Sequence, residues 1–194
     1  MTGIYGVILA AGQGRRLGLG PKAFVTYQGQ TLLERSRDVL ADAGVERILA
    51  VTPPGLGARV EGLDIPFVEN PDPNSGPLES VRCALSDWNQ TLPDRLVIFP
   101  VDHLAVEVDE VRNLLDRAQG VQDTVSRVIP SWNGKGGHPI LLTRSGVRAV
   151  ADSGESVGST LRSVLVEAGE ALYIDALGPA VLRNVNTAAD LQER

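Results

Sequence analysis

Short apolar runs that alternate with longer amphipathic ones predict an α/β domain of three layers, with helices on both faces of a mostly parallel sheet. Two further observations agree. The 194 residues, 43% of them hydrophobic, suffice for one sizeable core. No internal repeat, low-complexity stretch or linker-like segment divides the chain, so a single domain over 1–194 is expected.

The first strand is the apolar run 4–10. A helix is expected at 31–43, where Leu32, Leu33, Ser36, Val39, Leu40 and Ala43 recur at helical spacing, Glu34, Arg35, Arg37 and Asp38 fall elsewhere, and Gly44 stops the element. Further strands are expected at 47–52, 66–69, 96–100, 124–129, 140–143 and 171–174, with a last strand ending at Val185. Further helices are expected at 77–88, 109–119, 145–152, 159–168 and 187–192. The stretches PPGLG, NPDPNSGP and SWNGKGGHP read as connections. In an open parallel sheet, ligands bind outside the carboxyl ends of strands, so chemistry is expected in the segments that follow them.

Composition excludes several classes. A net charge of −6 and a pI near 4.9 argue against broad attraction to nucleic acid or to an anionic membrane. No apolar run is long enough to span a bilayer, and MTGIYGV lacks a basic region leading into a signal-peptide core, so a cytoplasmic location is expected. The single Cys83 rules out an internal disulfide framework and is expected in the core or on a helix face. Two histidines form no zinc-spaced cluster.

The most informative stretch is VILAAGQGRRLGLGPKAF, residues 7–24. Four glycines loosen its backbone at an entropic cost, which the close approach of a ligand to the main chain offsets. Arg15, Arg16 and Lys22 make that ligand an anion. A dinucleotide fingerprint would need glycine at 17, where the chain has Leu17. A P-loop would need Ser or Thr after Gly-Lys, but Lys22 follows Pro21 and precedes Ala23, and Lys135 precedes Gly136.

What remains, LAAGxGxRxG followed by PK, resembles the signature of the MobA-like nucleotidyltransferases, the Rossmann-like family of the molybdenum cofactor cytidylyl- and guanylyltransferases. The resemblance implies a nucleotide site that begins at Leu9 and Ala10. There the N–H groups of Ala11, Gly12 and Gly14 form a nest for a triphosphate, and Arg16 and Lys22 neutralise its charge. Arg15 is equally explained as a solvated charge. NPDPNSGPLES looks like the family element that places Asn70, Gly76 and Ser80 beside the nucleoside at a helix start, although a plain turn with a cap would also account for it.

LVIFPVDHLAV ends an apolar strand in Asp102, to which the resemblance carries Mg²⁺; a turn or cap is the other reading of that residue. His103 is placed behind it. SWNGKGGHP resembles the GxxGHP element of the cytidylyl branch, which puts Gly137 and His138 beside the acceptor. A hairpin-like turn explains the same residues, and Lys135 is equally a loop charge. VLRNVNTAADL looks like the closing family element in its amide form, with Asn186 toward the metal, Asn184 toward the acceptor, and Thr187 and Asp190 capping a last helix.

The implied reaction is in-line attack by an acceptor phosphate on the α-phosphorus of a nucleoside triphosphate, with release of pyrophosphate. Arg16, Lys22 and Asp102 would act by positioning and charge. LAAG goes with cytosine in this family and LAGG with guanine, so Ala11 favours CTP. GGHP agrees, while NVNT resembles the guanylyl branch. The acceptor would be molybdopterin or its molybdenum form, and a molybdoenzyme or its chaperone would receive the product.

Three residues separate Gly18 from Lys22 where the family often has two, and 42–69 and 145–182 are the least distinctive segments. PKAF and GQTLLERS also resemble methylerythritol-phosphate cytidylyltransferase, but PVDHLAV replaces its DAARP-like segment. Sugar-1-phosphate nucleotidyltransferases share the fold but carry a longer basic loop. Of the other classes, a non-catalytic nucleotide sensor would have lost Lys22 or Asp102, and a hydride-transferring dinucleotide enzyme would not have Leu17.

Overall fold

The computed structural model describes residues 3–12, 20–88, 91–154, 158–187 and 189–191. The chain begins with β1 (Ile4–Leu9). A short turn of helix, Lys22–Phe24, then leads to a hairpin of β2 (Thr26–Tyr27) and β3 (Gln30–Thr31). Gln28 and Gly29 both have positive φ at its tip, as a two-residue hairpin turn requires. Next come α1 (Leu32–Asp42), β4 (Arg47–Thr52), a short α2 (Gly57–Glu61), β5 (Phe67–Glu69), α3 (Pro77–Asp87), β6 (Arg95–Pro100) and α4 (Val108–Arg117). The remainder is β7 (Val125–Trp132), β8 (Lys135–Gly136), β9 (Ile140–Leu142), α5 (Arg144–Asp152), α6 (Leu161–Ala168) and β10 (Glu170–Asp175).

The strands run in the order β10-β7-β9-β6-β1-β4-β5, with β8 added on β7. Neighbours are parallel except β9, which is antiparallel to both β6 and β7, and β8, which is antiparallel to β7. From β1 the chain moves outward to β4 and β5, then returns across β1 to β6 on its other side. β1 and β6 therefore flank the point where the winding reverses, and a crevice opens outside their carboxyl ends.

Alternate residues of each strand feed two cores. Ile8, Ala50, Val97, Phe99 and Leu141 meet Leu33 and Leu40 of α1 and Val111 and Leu114 of α4. Val7, Leu49, Leu96, Ile98 and Leu142 meet Val81 and Leu85 of α3, Val147 and Val150 of α5 and Leu165 of α6. Each fully buried aliphatic side chain contributes roughly 1.5–3 kcal/mol. The first helix is also locally specified: Thr31 Oγ1 accepts the Glu34 N–H at 3.1 Å, and Glu34 Oε2 accepts the Thr31 N–H at 2.8 Å. The Thr31 hydroxyl also donates to Glu34 Oε2 at 2.7 Å, and this bond, together with that from the Thr31 N–H, holds the Glu34 carboxyl below the usual range.

The structure departs from expectation in four places. PPGLG runs into α2 rather than being wholly a connection. SWNGKGGHP is a hairpin, with Trp132 paired to Lys135 and Asn133 and Gly134 at positive φ between them. Its return limb is β8 and then β9, interrupted at Gly137, His138 and Pro139, where the His138–Pro139 bond is cis. No strand ends at Val185: a helical turn, Pro179–Leu182, precedes a segment outside any regular strand. In place of a terminal helix over 187–192, the described residues hold the short turn Ala189–Leu191.

Candidate active site

Three segments far apart in sequence meet at the carboxyl ends of β1 and β6. Leu9 of β1 is level with Pro100 of β6, which aims the two following segments at one spot. Lys22 comes from the first, Asp102 from the second, and Asn186 from the tail. Lys22 Nζ donates to Asp102 Oδ2 at 2.8 Å and to Asn186 Oδ1 at 3.0 Å.

The tail is held from two sides. Asp102 O accepts the Val185 N–H at 2.8 Å, and Asp190 Oδ2 accepts the N–H groups of Asn186 at 2.8 Å and Thr187 at 2.7 Å. These two bonds, that from Asn186 first, keep the Asp190 carboxyl below the usual range. The Lys22 and Asp102 side chains remain 14% and 21% exposed, so a ligand can reach the pair.

Lys22 and Asp102 line a cleft of about 720 Å³ together with Leu9, Gly12, Gly137 and His138. Ala10, just past the end of β1, has its N–H already donated to Val51 O at 2.9 Å, whereas the N–H groups of Ala11 and Gly12 have no partner among the described residues. A Cβ on Gly12 would meet no atom within 4 Å, so packing does not demand glycine there. The room belongs to the cleft. Gly14, Arg15 and Arg16 lie outside the described residues.

Gly76, at φ 82°, turns the chain into α3, whose first residue Pro77 lines the cleft. Asn70 and Ser80 are buried behind that turn. Asn70 Nδ2 donates to Ser80 Oγ at 3.0 Å and to Ser75 Oγ at 3.3 Å, while its Oδ1 accepts the Asp72 N–H at 2.9 Å. These two residues shape the approach to α3 rather than lining the cleft.

On the opposite wall, the Gly137 N–H is donated to Pro130 O at 2.7 Å and the His138 N–H to Val181 O at 2.9 Å. A Cβ on Gly137 would stand 2.4 Å from Val181 O, so close backbone packing requires this glycine. Only the His138 side chain is left to meet a ligand. Its ring lies 5.0 Å from that of His103, and the Nδ1 atoms of both are buried with no partner among the described residues.

Burial lowers both imidazole pKa values. That of His103 falls to about 4, with His138 pushing the same way and Asp102 opposing. Both rings are therefore neutral at pH 7.

Asn184 is not brought to Gly137 and His138: it is exposed and lines a separate cleft of about 560 Å³ with Arg35 and Glu107. Sequence reasoning also missed Arg127, Thr160, Arg162 and Tyr173, which line the larger cleft. Arg127 interrupts an apolar strand, a readable signal, but Arg162 sits on an ordinary helix start that offers none.

Among the described residues no three or more His, Cys, Asp or Glu side chains form a metal cage, and no helix is long and apolar enough to cross a membrane. Asp102 and Asn186 nevertheless present two hard oxygens to one cation, the Lys22 ammonium. That donor set suits Mg²⁺ or Mn²⁺, which take few protein ligands when phosphate and water supply the rest.

Residues 6–171 match the family model described as the MobA-like NTP transferase domain. A probable molybdenum cofactor guanylyltransferase of Mycobacterium tuberculosis is 28% identical over 190 residues, covering 97% of this chain and 91% of that one. A molybdenum cofactor guanylyltransferase of Cereibacter sphaeroides is 34% identical over 131 residues, 66% of each chain. Nicotine blue oxidoreductase of Paenarthrobacter nicotinovorans is 40% identical over 60 residues, 31% of this chain and 28% of that one. The crystal structure of Rv0371c from M. tuberculosis superposes with a TM-score of 0.75 at 23% identity, covering 98% of this chain and 97% of that one. The same protein in complex with manganese gives 0.68 at 23% identity, with the same coverage.

Proposed function

Because the chain belongs to the MobA-like NTP transferase family, we propose that its cleft transfers a nucleoside monophosphate from a triphosphate to the phosphate of a molybdopterin-type acceptor, releasing pyrophosphate. The observation that carries this reading is the convergence of Lys22, Asp102 and Asn186 from three distant segments onto one point outside β1 and β6. Such a centre suits a reaction between two anions, where the protein must offset their repulsion and the charge that builds on the α-phosphoryl group.

In this reading the free N–H groups of Ala11 and Gly12 take phosphate oxygens, and Lys22 exchanges its carboxylate partner for the triphosphate. Asp102 and Asn186 would hold the divalent cation, which supplies charge neutralisation at the phosphates. The acceptor enters along the wall of His138. Neutral His103 and His138 leave the field of Asp102 undiminished, because no imidazolium competes for its carboxylate.

GTP is the nucleotide of first choice, since both molybdenum cofactor relatives are named guanylyltransferases. CTP is the second reading, resting on Ala11, the alanine of the LAAG form that the resemblance ties to cytosine. The test is pyrophosphate release from GTP, CTP, ATP and UTP with Mg²⁺ or Mn²⁺ and a molybdopterin acceptor, for the wild type and Asp102→Asn. Release with one nucleotide, lost in the variant, supports the reading. A wild type that neither binds nor turns over any triphosphate overturns it, and binding of NAD alone would move the chain to hydride chemistry.

A further inference from the structure

The cleft continues past Asp102 to a pair of cations that the reaction centre does not use. Arg127 on β7 and Arg162 in the first turn of α6 line it together with Tyr173 of β10. Arg127 works through one nitrogen: Nη1 donates to Ser126 Oγ at 2.9 Å, Leu165 O at 2.7 Å and Gly169 O at 3.3 Å. Carbonyls at the end of α6 thereby fix the guanidinium, while its Nε and Nη2 have no partner among the described residues. The Arg162 side chain makes neither a hydrogen bond nor an ion pair among the described residues.

The two guanidiniums feel each other. Burial pulls the Arg127 pKa down, and the charge of Arg162 adds to that fall against an opposing effect of Tyr173. Two like charges on one cleft wall, with no carboxylate between them among the described residues, raise the free energy of the empty site. In a chain of net charge −6 such a pair is a local exception, and an arriving oxyanion relieves it.

Position separates this pair from the reaction centre. Arg127 is level with Leu142, and Leu142 with Leu96 of β6. Pro100, the last residue of β6, lies four residues beyond Leu96, about 13 Å at the rise of a strand, and Asp102 lies in the turn after it. One phosphate therefore does not reach both ends. Between them the wall is apolar, formed by Ile98, Ile129, Ile140 and Leu165.

We propose that Arg127 and Arg162 hold a second oxyanion of the acceptor, so that the acceptor has a charged group at each end of an apolar or planar body. The identity of the reacting end rests on the nucleotidyl-transfer reading above; the arginine pair is tested independently of it.

Arg162 is the residue to change, because it carries no hydrogen bond that the fold needs. Calorimetric titrations would compare pterin-6-carboxylate, a planar anion, with neutral 6-hydroxymethylpterin on the wild type, Arg162→Gln and Arg162→Glu. Thermal shifts with GTP and CTP plus Mg²⁺ would run in parallel. The expected result is a preference of about tenfold for the carboxylate in the wild type, nearly abolished in Arg162→Gln and reversed in Arg162→Glu, with the nucleotide shifts unchanged.

The inference is overturned if the wild type binds neither pterin, shows no preference, or keeps its preference in Arg162→Gln. It is equally overturned if Arg162→Gln weakens nucleotide binding instead, since the pair would then serve the triphosphate. Failure of every nucleotide to bind the wild type defeats the transfer reaction, while the carboxylate preference still decides the arginines.

Discussion

Lys22 donates through Nζ to Asp102 Oδ2 across 2.8 Å, tying the segment that follows β1 to the segment that follows β6. The ammonium occupies the place where two oxygens, one from Asp102 and one from Asn186, would receive a divalent cation. In the proposed reaction, this pair would keep the carboxylate partnered until a nucleotide brought its phosphates and metal.

Removing either partner is expected to separate activity from stability. The pair is partly exposed, so Lys22→Gln and Asp102→Asn should each cost no more than about 1 kcal/mol of folding free energy. Turnover should fall on the order of a hundredfold or more, as when a charge-stabilising group is lost. Pyrophosphate release alongside urea unfolding measures both. Near-normal turnover in both variants would remove them from the chemistry.

Asp190 acts through the backbone of Asn186 and Thr187. Asp190→Ala removes the one oxygen that accepts both bonds and frees the tail, so Asn186 should lose its placement while the two cores persist. The expected outcome is a fall in turnover of roughly tenfold with a thermal midpoint within a few degrees of the wild type. Asp190→Asn, which keeps one acceptor oxygen, should recover part of the loss. Equal rates in Asp190→Ala and the wild type would show that the tail needs no such anchor.

Two glycines of the cleft should respond in opposite ways. Gly137→Ala drives a Cβ to 2.4 Å from Val181 O and should destabilise by about 1–3 kcal/mol. A Cβ on Gly12 meets no atom within 4 Å among the described residues, so stability should hold while the added methyl should intrude on a bound triphosphate. Chemical denaturation and nucleotide titration of the two variants check this. Unchanged nucleotide affinity in Gly12→Ala would place the triphosphate elsewhere.

The buried imidazoles predict acid sensitivity. His103 has an ordinary pKa of 6.5 and a folded value of about 4, so the unfolded chain binds more protons between those limits. Stability should therefore be complete above pH 6.5 and decline as pH falls toward 4, by up to about 3 kcal/mol from His103 alone. His138 is shifted in the same direction. Unfolding curves at pH 7 and pH 5 should diverge less in His103→Phe than in the wild type; an equal divergence would assign the acid loss to other groups.

The layers and the glycine-rich loop with its cations were legible in the residues alone. The continuous apolar run 96–99 marks a strand buried on both faces, the spaced leucines of α1 name its buried face, and the loop that starts at Leu9 departs from the two commoner phosphate motifs at readable positions. Lys22, Asp102 and Asn186 were each legible because their segments follow strands or close a motif.

The tertiary structure decided which of these residues meet. Asn186 reaches Lys22, while Asn184, two residues away, lines another cleft, a distinction set by the anchors at Val185 and Asp190. Asn70 and Ser80 bond to each other behind the cleft, and Gly137 is required by the backbone of Val181. The direction of β9 and the pairing of Arg127 with Arg162 on one wall likewise depend on contacts between segments distant in sequence. Local sequence patterns record hydrophobic period and turn chemistry. The facing of polar side chains across a cleft arises only when the sheet brings its strand ends together.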